Sequence, residues 1–86
     1  MSEFLRLLAV YYACDHAAAL RPLTAAEVAA CMGHYNAVKS HFVTDLPPPA
    51  SSEDRSTTSN LAFTRFKRWE SENQQLVADL RARVSH

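Results

Sequence analysis

Glycine is almost absent from this chain, because Gly33 is the only one among 86 residues. A β-sheet protein of this size needs several tight turns, and glycine is the residue that most often supplies them. Alanine, the best helix former, supplies much of the hydrophobic content. The sequence therefore predicts an all-α fold of three to four helices, and residues 1–86 have room for a single helical domain with one core.

The first part of the chain has helical spacing and a clear stop. Apolar residues recur every three or four positions from Glu3 to Leu20, which predicts one helix over this range. Pro22 then interrupts it, because proline disfavours helix at the preceding residue and lacks an amide donor. Thr24 and Glu27 have the spacing of a capping box, so a second helix is expected to begin at Thr24 or Ala25.

Residues 24–43 allow two interpretations, one helix or two. Their apolar residues have the spacing of one unbroken helix, in which Gly33 would cost about 1 kcal/mol relative to alanine. Alternatively, Gly33 ends a short helix as a left-handed cap and Asn36 begins another. We favour the broken helix, because the only glycine of the chain is more useful at a turn than inside a helix.

The composition changes sharply at Thr44. Three successive prolines, Pro47–Pro49, are followed by a run of small polar residues, which predicts a long flexible loop over residues 44–60 within the domain. The last helix is expected from Ser59 or Leu61 to Arg83 or Val84. Its apolar stripe is close to a heptad pattern and includes Asn73, so homodimerisation through this helix is an open alternative.

Charge and cysteine usage limit the class of protein. Nine basic residues balance nine acidic ones, so the molecule lacks the overall positive field on which nonspecific phosphate binding depends. Cys14 and Cys31 are too few for a disulfide framework, and two free thiols in a reducing cytosol are expected. No run approaches the roughly 20 apolar residues of a membrane span, and we expect no signal peptide, because Glu3 and Arg6 interrupt the apolar start and no small-residue cleavage box follows. A cytoplasmic protein without membrane partners is expected.

Two short segments carry potential metal ligands: Cys14-Asp15-His16 and Cys31-Met32-Gly33-His34. Residues two apart on a helix point about 200° away from each other, so Cys14 and His16 cannot both face one ion. The same divergence weakens a cysteine–histidine nucleophile, and no glycine-rich phosphate loop exists. We therefore expect no metal, no cofactor and no enzymatic activity.

Residues 27–42 resemble a helix-turn-helix motif. Ala29, Gly33 and Val38 match the small residue of the first helix, the glycine of the turn and the branched anchor of the second helix. The step from glycine to anchor is five residues, one shorter than usual, so the motif would be a variant. If the chain bound DNA, six residues would supply the contacts: Asn36, Lys39 and Ser40 of this segment and the basic cluster Arg65, Lys67 and Arg68 of the last helix.

A small helical chain with this variant motif and few cations resembles the QseM-like antiactivators of bacterial conjugative elements. The resemblance implies a regulatory protein that inhibits a transcriptional activator of quorum sensing or conjugative transfer by direct protein–protein contact. The alternative is a helix-turn-helix transcriptional regulator that binds DNA itself.

Aromatic side chains commonly anchor protein interfaces. Four are predicted to bind a protein partner: Tyr12, Phe63, Phe66 and Trp69.

Overall fold

Four α-helices account for most of the protein in a computed structural model that describes residues 2–84. They are α1 (Glu3–Leu20), α2 (Ala25–His41), α3 (Ser52–Glu72) and α4 (Gln74–Arg83). No strand occurs among residues 2–84, which confirms the all-α prediction; the extreme ends of the expected 1–86 domain lie outside the described residues. The backbones pack in a cyclic order, α1 on α2, α2 on α3, α3 on α4 and α4 on α1.

Local sequence signals set the ends of α1 and the start of α2. The Ser2 hydroxyl accepts a hydrogen bond from the Leu5 amide (3.1 Å), and α1 then covers the predicted range. The capping box of α2 is confirmed: the Thr24 hydroxyl accepts from the Glu27 amide (3.1 Å), and the Glu27 carboxylate accepts from the Thr24 amide (3.0 Å).

α2 continues through Gly33 without a turn, so the predicted division of this segment into two helices is wrong. Gly33 does not have a positive φ, and it therefore does not act as a left-handed cap. The cost of glycine inside a helix, about 1 kcal/mol, is smaller than that of leaving several backbone groups without partners at two new helix ends. Without the turn, Ala29 and Val38 lie on one helix, and the helix-turn-helix variant is not confirmed.

The predicted loop over residues 44–60 is too long. The connection between α2 and α3 covers residues 42–51 and contains the three prolines, whereas residues 52–60 are helical. The Ser51 hydroxyl caps α3 by accepting from the Asp54 amide (3.1 Å), and Glu53 and Asp54 place negative charge near its positive end. Residues 52–57 are exposed, which explains why no apolar pattern indicates the first turns of this helix.

The predicted last helix is divided into α3 and α4 at Asn73. Asn73 has φ −131° and ψ 41°, outside the α-helical region. Its side-chain amide donates to the Trp69 carbonyl (2.8 Å), one of the last carbonyls of α3. Asn73 therefore ends α3 rather than setting the register of a continuous helix pair.

The core lies at one end of the α1–α2 pair, where α3 and α4 cover it. Its buried residues on α1 precede Ala13, and those on α2 follow Met32; the full set is Leu8, Tyr12, Val38, Ala62, Phe66 and Leu80. We call residues 13–32 the arm, which consists of the far ends of α1 and α2 and the turn between them. The arm contains no buried residue. The radius of gyration, 13.8 Å, accordingly exceeds the roughly 12 Å of a compact chain of this length.

Candidate protein-binding surfaces

A disulfide between Cys14 and Cys31 joins the two helices of the arm. The expectation of two free thiols is therefore wrong. Antiparallel packing of α1 on α2 brings the two Cα atoms to 5.7 Å, a separation that a disulfide spans. Both sulfurs are thus used for the crosslink. Among residues 2–84, no group of three or more metal-ligating side chains is assembled.

The charged side chains of the arm are all paired. Arg21 donates two hydrogen bonds to the Glu27 carboxylate (3.1 and 2.6 Å), and Asp15 accepts one from Arg81 of α4 (3.0 Å). The hydrogen bonds from Arg21, with a smaller contribution from the Thr24 amide, lower the pKa of Glu27 to about 2. A partner approaching the arm therefore meets no carboxylate or guanidinium without a counter-ion.

Large apolar side chains lie exposed on the arm. Leu20 is 72% exposed, Met32 51% and Val28 47%. Val28 and Met32 are four residues apart on α2, so they share one face of the helix. Eight of the 20 arm residues are alanines, which leave the helix backbones accessible. These three side chains thus give the arm apolar surface that residues 2–84 do not cover.

Two shallow grooves lie on the two sides of the disulfide, and both have Cys14, Leu23 and Cys31 in their walls. One, of about 220 Å³, extends to Met32 and Tyr35. The other, of about 270 Å³, extends to Val10 and has three alanines, Ala13, Ala17 and Ala30, in its walls. Both therefore offer depressions into which apolar side chains of a partner could pack.

A third groove, of about 500 Å³, lies between the C-terminal half of α2, the proline segment and the first half of α3. We call it the proline groove. The Lys39 ammonium donates a hydrogen bond to the Ser59 hydroxyl and lies 4.9 Å from the centre of the Tyr35 ring. The residues that line the proline groove are Asn36, Lys39, Ser40, Val43, Leu46, Pro47, Pro48, Pro49, Arg55, Thr58, Ser59 and Ala62.

The six predicted DNA-binding residues do not form one cationic surface. Asn36, Lys39 and Ser40 line the proline groove. Arg65 instead donates to the Asp45 carboxylate and the Phe42 carbonyl (2.8 Å each), and Lys67 donates to Glu70 (3.0 Å). Arg68 is exposed. Arg65 and Lys67 are thus engaged in contacts within the chain.

Two of the four predicted protein-binding aromatics cannot contact a partner in this structure. Tyr12 and Phe66 are completely buried, so their assignment to the binding surface is wrong. Trp69 is half-buried and packs edge-on against Phe4 (ring centres 5.2 Å apart). Phe63 is 44% exposed and stays a predicted contact residue. The large apolar side chains exposed on the arm are not aromatic, so the prediction of aromatic anchors did not include them.

Tyr12 belongs to a polar cluster that holds α1, α3 and α4 together. Its hydroxyl donates to the Glu70 carboxylate (2.6 Å), and the Arg81 guanidinium lies 4.1 Å from the centre of its ring. Burial, followed by the bond to Glu70, raises the pKa of Tyr12 above its usual value. Glu70 borders none of the three grooves. Tyr12 thus links α1 to α3 through Glu70 and to α4 through Arg81.

Comparison with known proteins assigns no family. No protein-family model, no curated protein and no solved structure matches the chain significantly. Within residues 2–84, none of the helices combines the length and the hydropathy required to cross a bilayer.

Proposed function

We propose that this chain is a small, non-enzymatic regulatory protein of the bacterial cytoplasm that binds and inhibits a transcriptional activator, and that the arm is its binding surface. The observation that carries the proposal is the uncovered apolar surface of the arm around Leu20, Val28 and Met32. Large apolar side chains left exposed close together commonly mark protein interaction sites, and Val28 and Met32 share one face of α2.

The area of the molecule supports an additional interface. The accessible surface is 5807 Å², whereas a compact protein of 9.6 kDa exposes about 5100 Å². The excess is close to the roughly 800 Å² that each partner contributes to a standard protein interface. A partner seated on the arm would therefore complete a layer of packing that the chain does not supply itself.

The charge pattern favours a protein over DNA as this partner. Apolar and small side chains are inexpensive to desolvate, and the paired charges of the arm offer nothing to a polyanion. Arg65 and Lys67, from the only basic cluster in the sequence, are engaged with Asp45 and Glu70. DNA binding by the chain itself, the alternative function, thus has less support.

A cytoplasmic location affects the disulfide, since thiols are kept reduced in that compartment. In the reduced chain, the capping box and the Arg21–Glu27 pair still fix the turn of the arm. We expect the reduced arm to keep its fold with lower stability, and its apolar face does not depend on the crosslink.

The test uses a double variant, Val28→Glu with Met32→Lys, which replaces the apolar face by an i,i+4 ion pair that favours the helix. Ser56→Glu with Asn60→Lys makes the same change on exposed positions of α3 and serves as the matched control. Proteins captured from the native host by the wild-type chain are identified, and a captured regulator is purified for transcription in vitro from its own promoter.

Wild-type chain and the α3 control should repress this transcription at a stoichiometric ratio, and the arm variant should not. The arm variant must retain the wild-type circular dichroism spectrum. Repression by the arm variant equal to that of wild type would remove the arm from the proposal. Specific DNA binding by the chain alone in a gel shift at physiological salt would overturn the antiactivator function.

A further inference from the structure

The proline groove has the dimensions of a ligand site. Its volume, about 500 Å³, is within the range of sites for small molecules. Three different elements form its walls: α2, the segment from Val43 to Pro49, and α3. The Arg65 guanidinium ties two of these elements together, because it donates to the Phe42 carbonyl and to Asp45. The walls are therefore held in place without a ligand.

The charges in this groove have one sign. Lys39 and Arg55 line it, and no carboxylate does. Within residues 2–84, neither cation forms an ion pair, in contrast to Arg65, Lys67 and Arg81. Glu53 and Asp54 precede Arg55 on α3 but are not part of the lining. A ligand with a single negative charge would therefore find attraction and no opposing carboxylate in the groove.

Neutral donors accompany the two cations. The Ser59 hydroxyl oxygen accepts from the Lys39 ammonium, so the hydroxyl hydrogen of Ser59 remains able to donate. Lys39 keeps two further N–H donors, and the Thr58 hydroxyl and the Asn36 amide also line the groove. Charge-assisted hydrogen bonds from such groups are the strong contacts of anion recognition.

The remaining lining is apolar. Val43, Leu46 and Ala62 contribute hydrocarbon, and Pro47–Pro49 add three rings without a backbone N–H. A ligand that consisted only of an anion would leave this surface in contact with water. The lining therefore matches a molecule with a charged head and an apolar chain.

We propose that the proline groove binds a small amphipathic anion, a free carboxylate with a short hydrocarbon chain. Its head group contacts Lys39, Arg55 and Ser59, and its chain lies along Val43, Leu46 and the prolines. This site is independent of the proposed function of the arm, because the groove begins at Asn36 and the arm ends at Met32.

The experiment is a titration of the ¹⁵N-labelled chain with decanoate, below its micelle concentration, followed by two-dimensional NMR. Decyltrimethylammonium, which has the same chain length and the opposite charge, is titrated in parallel. Decanoate should shift the amides of groove residues such as Val43, Ser59 and Ala62 in a saturable manner. The cation should bind this site at least about tenfold more weakly.

Variants separate head-group recognition from nonspecific hydrophobic binding. Lys39→Met with Arg55→Met should lower the decanoate affinity roughly tenfold or more, whereas the charge-conserving Lys39→Arg with Arg55→Lys should retain it. Arg6→Met with Arg68→Met removes the same charge from exposed positions outside the groove and should bind as wild type. Circular dichroism verifies that each variant is folded.

Three results would overturn the proposal. They are the absence of saturable decanoate shifts in the groove, equal binding of decyltrimethylammonium there, and undiminished decanoate affinity in the Lys39→Met, Arg55→Met variant. Decanoate shifts confined to the arm are a case of the first result. None of these results bears on repression by the arm, so the two proposals fail separately.

Discussion

The two ends of the α1–α2 pair differ in what surrounds them. At the core end, Leu8 and Tyr12 of α1 and Val38 of α2 are completely buried under α3 and α4. In the arm, the same two helices have no buried residue, and the Asp15–Arg81 ion pair links them to α4. One disulfide, one capping box and one ion pair hold the arm together.

The two ends differ in what stabilises them: side-chain packing at the core end, and local structure in the arm. The core end depends on burial of large side chains, and its sequence tolerates little change. The arm depends on alanine-rich helices and on covalent and local polar contacts, so its exposed side chains are available for another purpose. Such local and covalent contacts allow a chain of this size to stabilise an exposed surface, but only a surface of small area.

The largest expected effect comes from the core. Phe66→Ala removes a fully buried ring and should lower the free energy of unfolding by about 3–5 kcal/mol. Met32→Ala, in the arm, should change it by less than about 1 kcal/mol, because Met32 is half exposed and alanine favours helix. Urea unfolding measures both. Comparable losses would show that the arm is packed as tightly as the core.

The next effect is that of the crosslink. Replacing Cys14 and Cys31 by alanine should cost about 3 kcal/mol, the value for a loop closed by residues 17 apart. Thermal unfolding with and without reductant measures the loss, and reductant should leave the double variant unchanged. Amide exchange should accelerate more in the arm than around Leu8. A wild-type protein insensitive to reductant would contradict the disulfide.

A smaller effect, in the stabilising direction, is expected at the edge of the arm. A Cβ built on Gly33 meets no atom within 4 Å, and the residue lies inside α2 with φ outside the left-handed region. Gly33→Ala should therefore raise the free energy of unfolding by about 1 kcal/mol. Calorimetry measures the change. Destabilisation would instead indicate a left-handed glycine and a helix that ends there.

The smallest effect is the pH dependence of the arm. Because Arg21 depresses the pKa of Glu27 to about 2, this carboxylate stabilises the folded arm above the unfolded pKa, about 4.3. The contribution is lost as the pH falls towards 2, and it is modest because the pair is exposed. Helix content of the arm, followed by NMR from pH 6 to 2, should fall more steeply than in Glu27→Gln.

Features that depend on a few adjacent residues could be predicted from the sequence. The range of α1 and the reciprocal Thr24–Glu27 cap depend on helical spacing and on one polar pair. Gly33 shows the limit of such reasoning. A single unfavourable residue suggests a break, but its cost is small compared with that of interrupting the hydrogen bonds of a 17-residue helix. The start of α3 was predicted as a loop for a related reason. Residues 52–57 are polar and exposed, so the sequence has no apolar pattern that indicates a helix there.

Features that depend on the docking of helices could not be predicted in the same way. Cys14 and Cys31 lie equally far from the turn at Pro22 and Leu23, as do the stacked rings of Phe4 and His41. This symmetry is visible in the sequence, but it becomes a signal only after the two helices are assumed to pack antiparallel. Which aromatics are buried depends in addition on α3, whose start and end were predicted incorrectly.

The Cys14–Cys31 bond also determines what happens to a broken main chain. A proteolytic nick anywhere from residue 15 to residue 30 would fall inside the covalent ring that this bond closes. The two fragments would remain one molecule until a reductant separated them, and both core-bearing ends of α1 and α2 would stay in place. The protein could therefore lose the continuity of the arm while retaining its fold.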